Sequence, residues 1–415
     1  MKPGNQKSKI KSIKSFKQKD KIVLVRVDYN VEVEGQKVLD DTRVRASLET
    51  LDYLTSLRSR VILMSHRGRP GGKRDENLSL RPAARHLADL LNRKYVEPKD
   101  DNFALPDYPT PHVIFSSADI RGITRNDIEK LNPGDILFLE NIRFYKEEDE
   151  GNAGFVKELS DLGDIFVNEA FSVCHRSAAT VSGLALVLPS FAGLRLLQEL
   201  EALDYVSQQA RSPLVIVAGG AKITEKTAML DQLLPKSDYL LVGGAMANLF
   251  FHALEYEIGD SKIEQEGNLA AVELLRNFKE KIILPTDVVV AGPGGDGGVV
   301  KDIGEVKPGE KILDIGPQSI LKFSEIIKKS KTIIWNGPMG VFEKKPFSHG
   351  TLCLARLIAS QGKGRAYTLV GGGETLQALN LSQMREYVDF VSTGGGAMLS
   401  YLGGEDMPGL SALAG

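Results

Sequence analysis

The sequence predicts an α/β protein, with parallel sheets covered by helices and two domains of similar size. Three observations predict it. Short β-branched runs alternate with helical stretches along 415 residues, and strand alternating with helix implies parallel sheets with right-handed crossovers. Several runs are apolar throughout, as strands buried on both faces are. The alternation breaks once, between Pro189 and Pro213.

In chain order, the first series of strands is "KIVLVRV" (21–27), "RVILMSH" (60–66), "HVIFSS" (112–117), "DILFLEN" (135–141) and "DIFVNEA" (164–170). Between them "TRVRASLETLDYLTSL" (42–57) and "LSLRPAARHLADLLNRK" (78–94) carry apolar residues three and four apart, the helical period. At the break, "FAGLRLLQELEALDYVSQQAR" (191–211) reads as one amphipathic helix with a proline near each end. It serves as a connector between a domain over 1–190 and another over 212–400. The second series is "PLVIVAGG" (213–220), "DYLLVGG" (238–244), "KIILPTD" (281–287), "KILDIG" (311–316), "KTIIWNG" (331–337), "AYTLVGG" (366–372) and "YVDFVST" (387–393).

Composition narrows the function classes. Hydrophobic residues make up 42% and charged residues 26%, the mix of a soluble globular protein. The 52 basic residues nearly balance 54 acidic ones, so no global field recruits nucleic acid or membrane. Cys174 and Cys353 match no metal-ligand or redox spacing, which suits a reducing, cytoplasmic setting. No apolar run approaches the roughly 18 residues of a membrane span. The start, "MKPGNQKSKIKSIKSFKQKDK", has eight lysines and no apolar core. It is not a secretory signal and reads as a solvated tail.

The unusual residues sit at the carboxyl ends of strands, where open parallel sheets bind ligands. "SHRGRP", "ENIRF", "GGAK", "NGPMG", "GGGET" and "STGGG" each follow a strand. "VGGGETLQAL" and "VSTGGGAMLSYL" place three glycines between a strand and a helical stretch. Such loops let backbone approach an anion at a helix N-terminus, or simply turn tightly. Two of them beside "VAGGAKITEK" and "LVGGAM" favour phosphate binding. Lys222 and Lys226, four apart at a helix start, can reach one anion. The Walker pattern is absent, and the one GxGxxG, Gly292, Gly294 and Gly297, leads into a valine run rather than a helix. It reads as a turn, which disfavours a P-loop kinase and a dinucleotide-binding dehydrogenase.

Arg26, Arg43, Arg69, Arg143 and Arg176 follow or flank strands of the first half, with His66 and His175 beside two of them. Each alone suits a surface ion pair, but together at one sheet end they make a basic pocket. Guanidinium forks match phosphate and carboxylate oxygens two at a time. In "LVRVDYNVE" (24–32), Asp28 and Asn30 sit where they can meet a substrate hydroxyl, and Arg26 braces the pocket. Glu374 closes the third glycine of its loop. It is either a magnesium anchor beside a nucleotide phosphate or an acid favoured by the helix dipole.

"VRVDYN", "SHRGRP", "LENIRF", "NEAF…HR", "GGAK…EK", "LPTDVVVA", "DIGPQS", "WNGPMGVFE", "GGGET" and "STGGGAML" together resemble the phosphoglycerate kinase family, in its order and at about its spacing. The resemblance spans nearly the whole chain. It implies two Rossmann-like domains joined by the connector and a hinge, residues 401–415 folding back onto the first domain, and a monomer that closes by hinge bending. It implies reversible phosphoryl transfer between 1,3-bisphosphoglycerate and ADP, giving 3-phosphoglycerate and ATP, in a closed interdomain cleft. Asp28, Tyr29, Asn30, Arg43, His66, Arg67, Gly68, Arg69, Arg143 and Arg176 would then bind the acid substrate. Gly220, Ala221, Lys222, Lys226, Gly244, Asn336 and Pro338 would meet the nucleotide, with Glu343 on the ribose. Gly371, Gly372, Gly373, Glu374 and Thr375 would take the phosphates with Mg²⁺ at Glu374. Arg43, Lys222, Gly373 and Gly396 would act on the transferring group, the loop 394–396 capping it.

Five departures from the family pattern stand out. Glu374 and Glu225 occupy positions where aspartate is usual. Ser172 replaces a glycine, and Ala178 stands where a second histidine is common. Ser400 replaces a frequent glutamate. A non-catalytic or retuned nucleotide-binding relative is the alternative reading, and the retained Arg43, Arg69, Arg143 and Lys222 weigh against it.

Overall fold

Seven short runs of the first half pair into one parallel sheet in the computed structural model, which describes residues 9–98, 111–295 and 297–415. They are β1 (Ile22–Arg26), β2 (Arg60–Met64), β3 (Lys94–Val96), β4 (His112–Ser116), β5 (Ile136–Leu139), β6 (Ile165–Asn168) and β7 (Ser190–Ala192). Their order is β3-β4-β5-β2-β1-β6-β7. Every residue of β1 is buried, because helices cover the sheet and leave no strand face for water. Leu51 and Leu54 of the helix Leu48–Ser56 and Ala83, Ala84 and Leu87 of the helix Arg81–Leu90 join Val23, Val25, Phe115 and Phe138 in one core.

The second half forms a parallel sheet of β8 (Leu214–Ala218), β9 (Tyr239–Val242), β10 (Ile282–Ile283), β14 (Thr332–Asn336), β15 (Tyr367–Gly371) and β16 (Phe390–Ser392). The order is β10-β9-β8-β14-β15-β16. Beside it lies a three-stranded antiparallel sheet of β11 (Asp287–Ala291), β12 (Val299–Asp302) and β13 (Lys311–Ile315), with β11 central. Trp335, fully buried, centres the apolar cluster of the parallel sheet with Phe323, Leu354 and Val370.

The chain divides into two compact units, Met1–Glu201 with Asp406–Gly415, and Ala202–Glu405. The division falls within the helix Leu194–Gln208. In the first unit the helix Pro408–Leu413 packs by Gly409, whose N–H donates to the Cys174 carbonyl at 2.9 Å. An added Cβ there would stand 2.8 Å from Val181. Among the described residues, no helix is long and apolar enough to cross a membrane.

Three expectations need correction, and two strands were not expected. The lysine-rich start is not a solvated tail over its described part. Ile13 is fully buried, Phe16 nearly so, and the Ala192 N–H donates to the Lys11 carbonyl at 2.8 Å, which ties the segment to the edge strand β7. Apolar residues at 10, 13 and 16 give it a buried side that its lysines conceal. The helix expected over 42–57 is broken into Thr42–Arg45 and Leu48–Ser56. Ser47 at the break is buried, donating to the Val44 carbonyl and bonding the Tyr29 hydroxyl at 2.6 Å. The strands expected over 281–287 and 311–316 do not both extend the parallel sheet. Only Ile282–Ile283 does, and the valine run after Gly297 closes an antiparallel hairpin instead. The strands β3 and β7 carried no separate signal, since β3 begins where a helical pattern was still running.

Candidate active site

Four adjacent central strands of the first unit, β5-β2-β1-β6, carry the charged loops. Arg26, the last residue of β1, is fully buried and spends its guanidinium on neighbours. Nε donates to Thr180 Oγ1 at 2.8 Å, Nη1 to the Val27 carbonyl at 2.5 Å, and Glu148 lies 3.9 Å away. Its Nη2 lies 3.3 Å from His66 Nδ1. A guanidinium only donates, so Nδ1 accepts and the imidazole proton sits on Nε2. Burial, reinforced by the cations Arg26, Arg143, Arg43 and Arg176, holds His66 well below its usual titration range. Arg26, Arg143, Arg43 and Arg176 thus all lie close enough to act on the charge of His66. Arg176 is itself shifted down, by burial and then by Arg143 and Arg69.

The other predicted residues are held in different ways. Arg43 pairs with Asp28 through Nη1 and Oδ2, and Ser172 Oγ donates to the same oxygen. Asp28 Oδ1 accepts from the Asn30 N–H at 3.0 Å, and Asn30 Oδ1 accepts from the Gly68 N–H at 2.9 Å. Arg143 donates to the Gly68 carbonyl at 2.9 Å and faces Asp149 at 3.3 Å. Gly68 has φ +62, and a Cβ there would stand 2.8 Å from Leu78. Arg69 is exposed, with no hydrogen bond or ion pair among the described residues. Two residues do not offer their side chains. Tyr29 is wholly in the core, its ring edge-on to Phe138. Arg67 is spent on the carbonyls of Val31, Asn77 and Ser79 at 3.2, 2.8 and 3.2 Å. Alternation along "VRVDYN" already put Tyr29 on the valine side; the motif alone put it in the site.

In the second unit, the loops after β8, β14 and β15 are laced together. Trp335 Nε1 donates to the Gly337 carbonyl at 2.9 Å, the Gly337 N–H donates to Thr375 Oγ1 at 2.7 Å, and Asn336 Nδ2 donates to the Gly371 carbonyl at 2.9 Å. Asn336 and Thr375 therefore brace the cradle from beneath, both buried. The Gly220 N–H donates to the Pro338 carbonyl at 2.9 Å. Gly244, at φ +61, passes so close that a Cβ would stand 2.7 Å from the Gly220 nitrogen. Gly372, at φ +98, caps the helix Gly373–Leu381, while Gly373 and Gly396 face open space at the first residues of their helices. Those free N–H groups suit anionic oxygens.

Lys222 is exposed and pairs with Glu225 at 2.7 Å. Lys226 is buried, its Nζ 3.3 Å from the Lys222 carbonyl. Burial lowers its pKa against the pull of Glu225, Glu374 and Glu264. Glu264 anchors this turn by accepting from the Ile223 and Thr224 N–H groups at 2.6 and 3.1 Å. A cavity of about 310 Å³ opens against Gly220, Gly244, Pro338, Glu343 and Glu374. Phe251, Lys262, Ile312 and Asp314, which also line it, were not anticipated. Burial pushes Asp314 up to about 7, against N–H bonds from Gly350 and Ile315. An acid inside the otherwise apolar "KILDIG" was the available signal for Asp314; Lys262 offered none. No cluster of three or more His, Cys, Asp or Glu suited to a metal exists among the described residues. A single carboxylate beside phosphate oxygens is what remains for a cation, and exposed Glu374, directed toward Gly220, fits that arrangement.

Two α/β units, one with clustered guanidinium groups and one with a glycine-lined cavity, define a phosphotransferase. The family model described as phosphoglycerate kinase matches residues 13–405, and the chain belongs to that family. It is similar to the phosphoglycerate kinase of Borrelia turicatae, 41% identical over 97% of this chain and 99% of that one. It is also similar to that of Moorella thermoacetica, 39% identical over 97% and 98%. Among solved structures, phosphoglycerate kinase from Coxiella burnetii superposes with a TM-score of 0.80 at 34% identity, covering 97% of this chain and 98% of that one. The enzyme from Pyrococcus horikoshii gives 0.79 at 30% over the same shares. The protein is therefore a phosphoryl-transfer enzyme with a nucleotide among its substrates.

Proposed function

We propose that the protein moves a phosphoryl group reversibly between 1,3-bisphosphoglycerate and ADP, using the residues described above. The observation that supports the acid-binding half is the run of contacts from Arg43 through Asp28, Asn30 and Gly68 to Arg143, with Arg26 against His66. Guanidinium groups neutralise the phosphate and carboxylate of the acid, and the Nε2–H of His66 donates one further bond. Asp28 orients Arg43, and Ser172, where a glycine is usual, adds a donor that steadies Asp28.

The nucleotide half is supported by the cavity and the glycine loops. Phosphates lie against the helix N-terminus at Gly373, the ribose near Glu343, and the base against the apolar part of the lining. Magnesium carried by the nucleotide would be held at Glu374 and would neutralise phosphate charge. Lys222 is held only by an exposed ion pair, a contact of little strength. Its ammonium is therefore readily given up to the transferring group. Phosphoryl transfer is chiefly positioning and neutralisation of charge on three equatorial oxygens. Arg43, Lys222 and the N–H groups of Gly373 and Gly396 supply the protein's share.

The test is a coupled assay of the purified protein with 3-phosphoglycerate, MgATP and a downstream NADH-dependent dehydrogenase. Steady NADH oxidation that requires 3-phosphoglycerate is the expected result. Its absence in fully folded protein would overturn the reading.

A further inference from the structure

The lining of the nucleotide cavity contains a cation, Lys262, that no other feature explains. Along the helix Gly244–Ala253 the cavity runs from Gly244 to Phe251, seven residues and so about 10 Å. Gly220, Gly244 and Glu374 mark one end, where strand-end glycines and a helix N-terminus suit phosphates. Phe251 marks the other, and with Val288 and Ile312 it gives the lining an apolar part suited to a base. Lys262 lines the same cavity beside Asn248, between these two ends of the helix. Its carbonyl accepts from Asn248 Nδ2 at 3.2 Å, one helical turn beyond Gly244.

The backbone that presents Lys262 is pinned. The Asp260 N–H donates to the Glu310 carbonyl at 2.7 Å, and the Ile312 N–H donates to Ser261 Oγ at 2.8 Å. The side chain, by contrast, is exposed, and its ammonium has no hydrogen bond or ion pair among the described residues. A fixed stem with an uncommitted donor suits a ligand acceptor. Lysine recognises the N7/O6 edge of a 6-oxopurine, whereas a side-chain amide recognises the N7/N6 edge of adenine. The nearby amide is partly committed: one Nδ2 N–H of buried Asn248 goes to the Lys262 carbonyl, while its Oδ1 has no partner among the described residues, which leaves the Lys262 ammonium as the donor fully free for a base edge.

We propose that Lys262 is a specificity-determining residue that favours 6-oxopurine nucleotides, so that GDP and IDP serve at least as well as ADP. The inference rests on the assignment of the cavity to the nucleotide. Its test is the coupled assay in the direction of nucleoside triphosphate formation, run with ADP, GDP and IDP on wild type and on Lys262→Met. Methionine keeps the apolar stem of an exposed side chain, so folding is unaffected. Wild type should show kcat/KM for GDP and IDP equal to or above that for ADP. Lys262→Met should lower both by about tenfold or more, with ADP changed by less than about twofold. An unchanged GDP-to-ADP ratio in the variant would overturn the proposal while leaving the kinase assignment intact. So would a wild-type preference for ADP, or a response by GDP that IDP does not share, since IDP keeps O6 and lacks only the 2-amino group. Absence of turnover with every nucleotide would overturn the parent reading, and this inference with it.

Discussion

Arg26 and Arg43 are separated by one helix start, yet they do opposite things. Arg26 is buried and saturated by Thr180, Val27, His66 and Glu148, so it sets the shape and tautomer of the pocket. Arg43 has one carboxylate partner, Asp28, and donors to spare. Arg43→Ala should therefore lower kcat by on the order of a hundredfold or more while the ADP dissociation constant stays within about twofold. Arg43→Lys, which keeps the charge but loses the fork, should recover only a small part of the loss. Titration calorimetry with ADP beside the coupled assay separates the two readouts. Equal loss of ADP affinity would mean that Arg43 belongs to the nucleotide half.

Glu374 poses the complementary question of whether a carboxylate beside phosphates is there for a cation. Metal-free ADP would be repelled by it, whereas MgADP would be bridged to it. Glu374→Ala should weaken MgADP by about tenfold and leave ADP in EDTA unchanged or slightly tighter. Parallel weakening of both would reduce Glu374 to a helix-dipole residue.

At the scale of elements, much of the architecture was legible because buried parallel strands must be apolar on both faces. "KIVLVRV" and "PLVIVAGG" both became central strands. Elements defined by pairing rather than composition were not legible. The edge strand Ser190–Ala192 is ordinary in sequence and exists because Phe166 and Val167 offer it a ladder. The break at Ser47 follows from a bond to Tyr29, eighteen residues away, which no local period encodes. The site shows the same division. Charged residues at strand ends were visible, whereas Lys262 reaches the cavity from a loop pinned by tertiary bonds.

The crossing of the β8 and β9 loops gives an element-scale prediction. Gly244 combines φ +61 with a Cβ position 2.7 Å from both the Gly220 nitrogen and the Pro338 carbonyl oxygen. Both obstacles are backbone and cannot rotate away. Gly244→Ala should cost about 2 kcal/mol or more in urea unfolding, and ADP affinity should fall because Gly220 must shift. Gly292→Ala, which meets nothing within 4 Å, is the control and should leave both unchanged.

At the scale of the whole molecule, stability against pH is set by buried groups of opposite sign. His66 is held below its ordinary value by burial and surrounding cations. The unfolded chain therefore takes up its proton first, and stability is lost as pH falls below about 6.5. Glu169 is the reverse. Burial pushes it up to about 8, although Thr50 Oγ donates to it at 2.6 Å and the Arg195 N–H at 3.1 Å. The folded state then holds a proton that the unfolded state has released. Its contribution is full below about 4.5 and is lost as pH rises toward 8, at up to roughly 1.4 kcal/mol per pH unit while it titrates. Gly193 packs so closely that a Cβ would overlap Glu169 Oε2, so water has no room to ease the charge. Glu169→Gln keeps the shape and the Oε1 acceptor while removing the titration. Calorimetric melting between pH 5 and 9 should show the variant equal to or below wild type at pH 5 and gaining on it steadily to pH 8.5. The difference between the two curves cancels His66 and Asp314, which titrate identically in both proteins. Parallel curves would mean that Glu169 ionises in the folded state as it does in water.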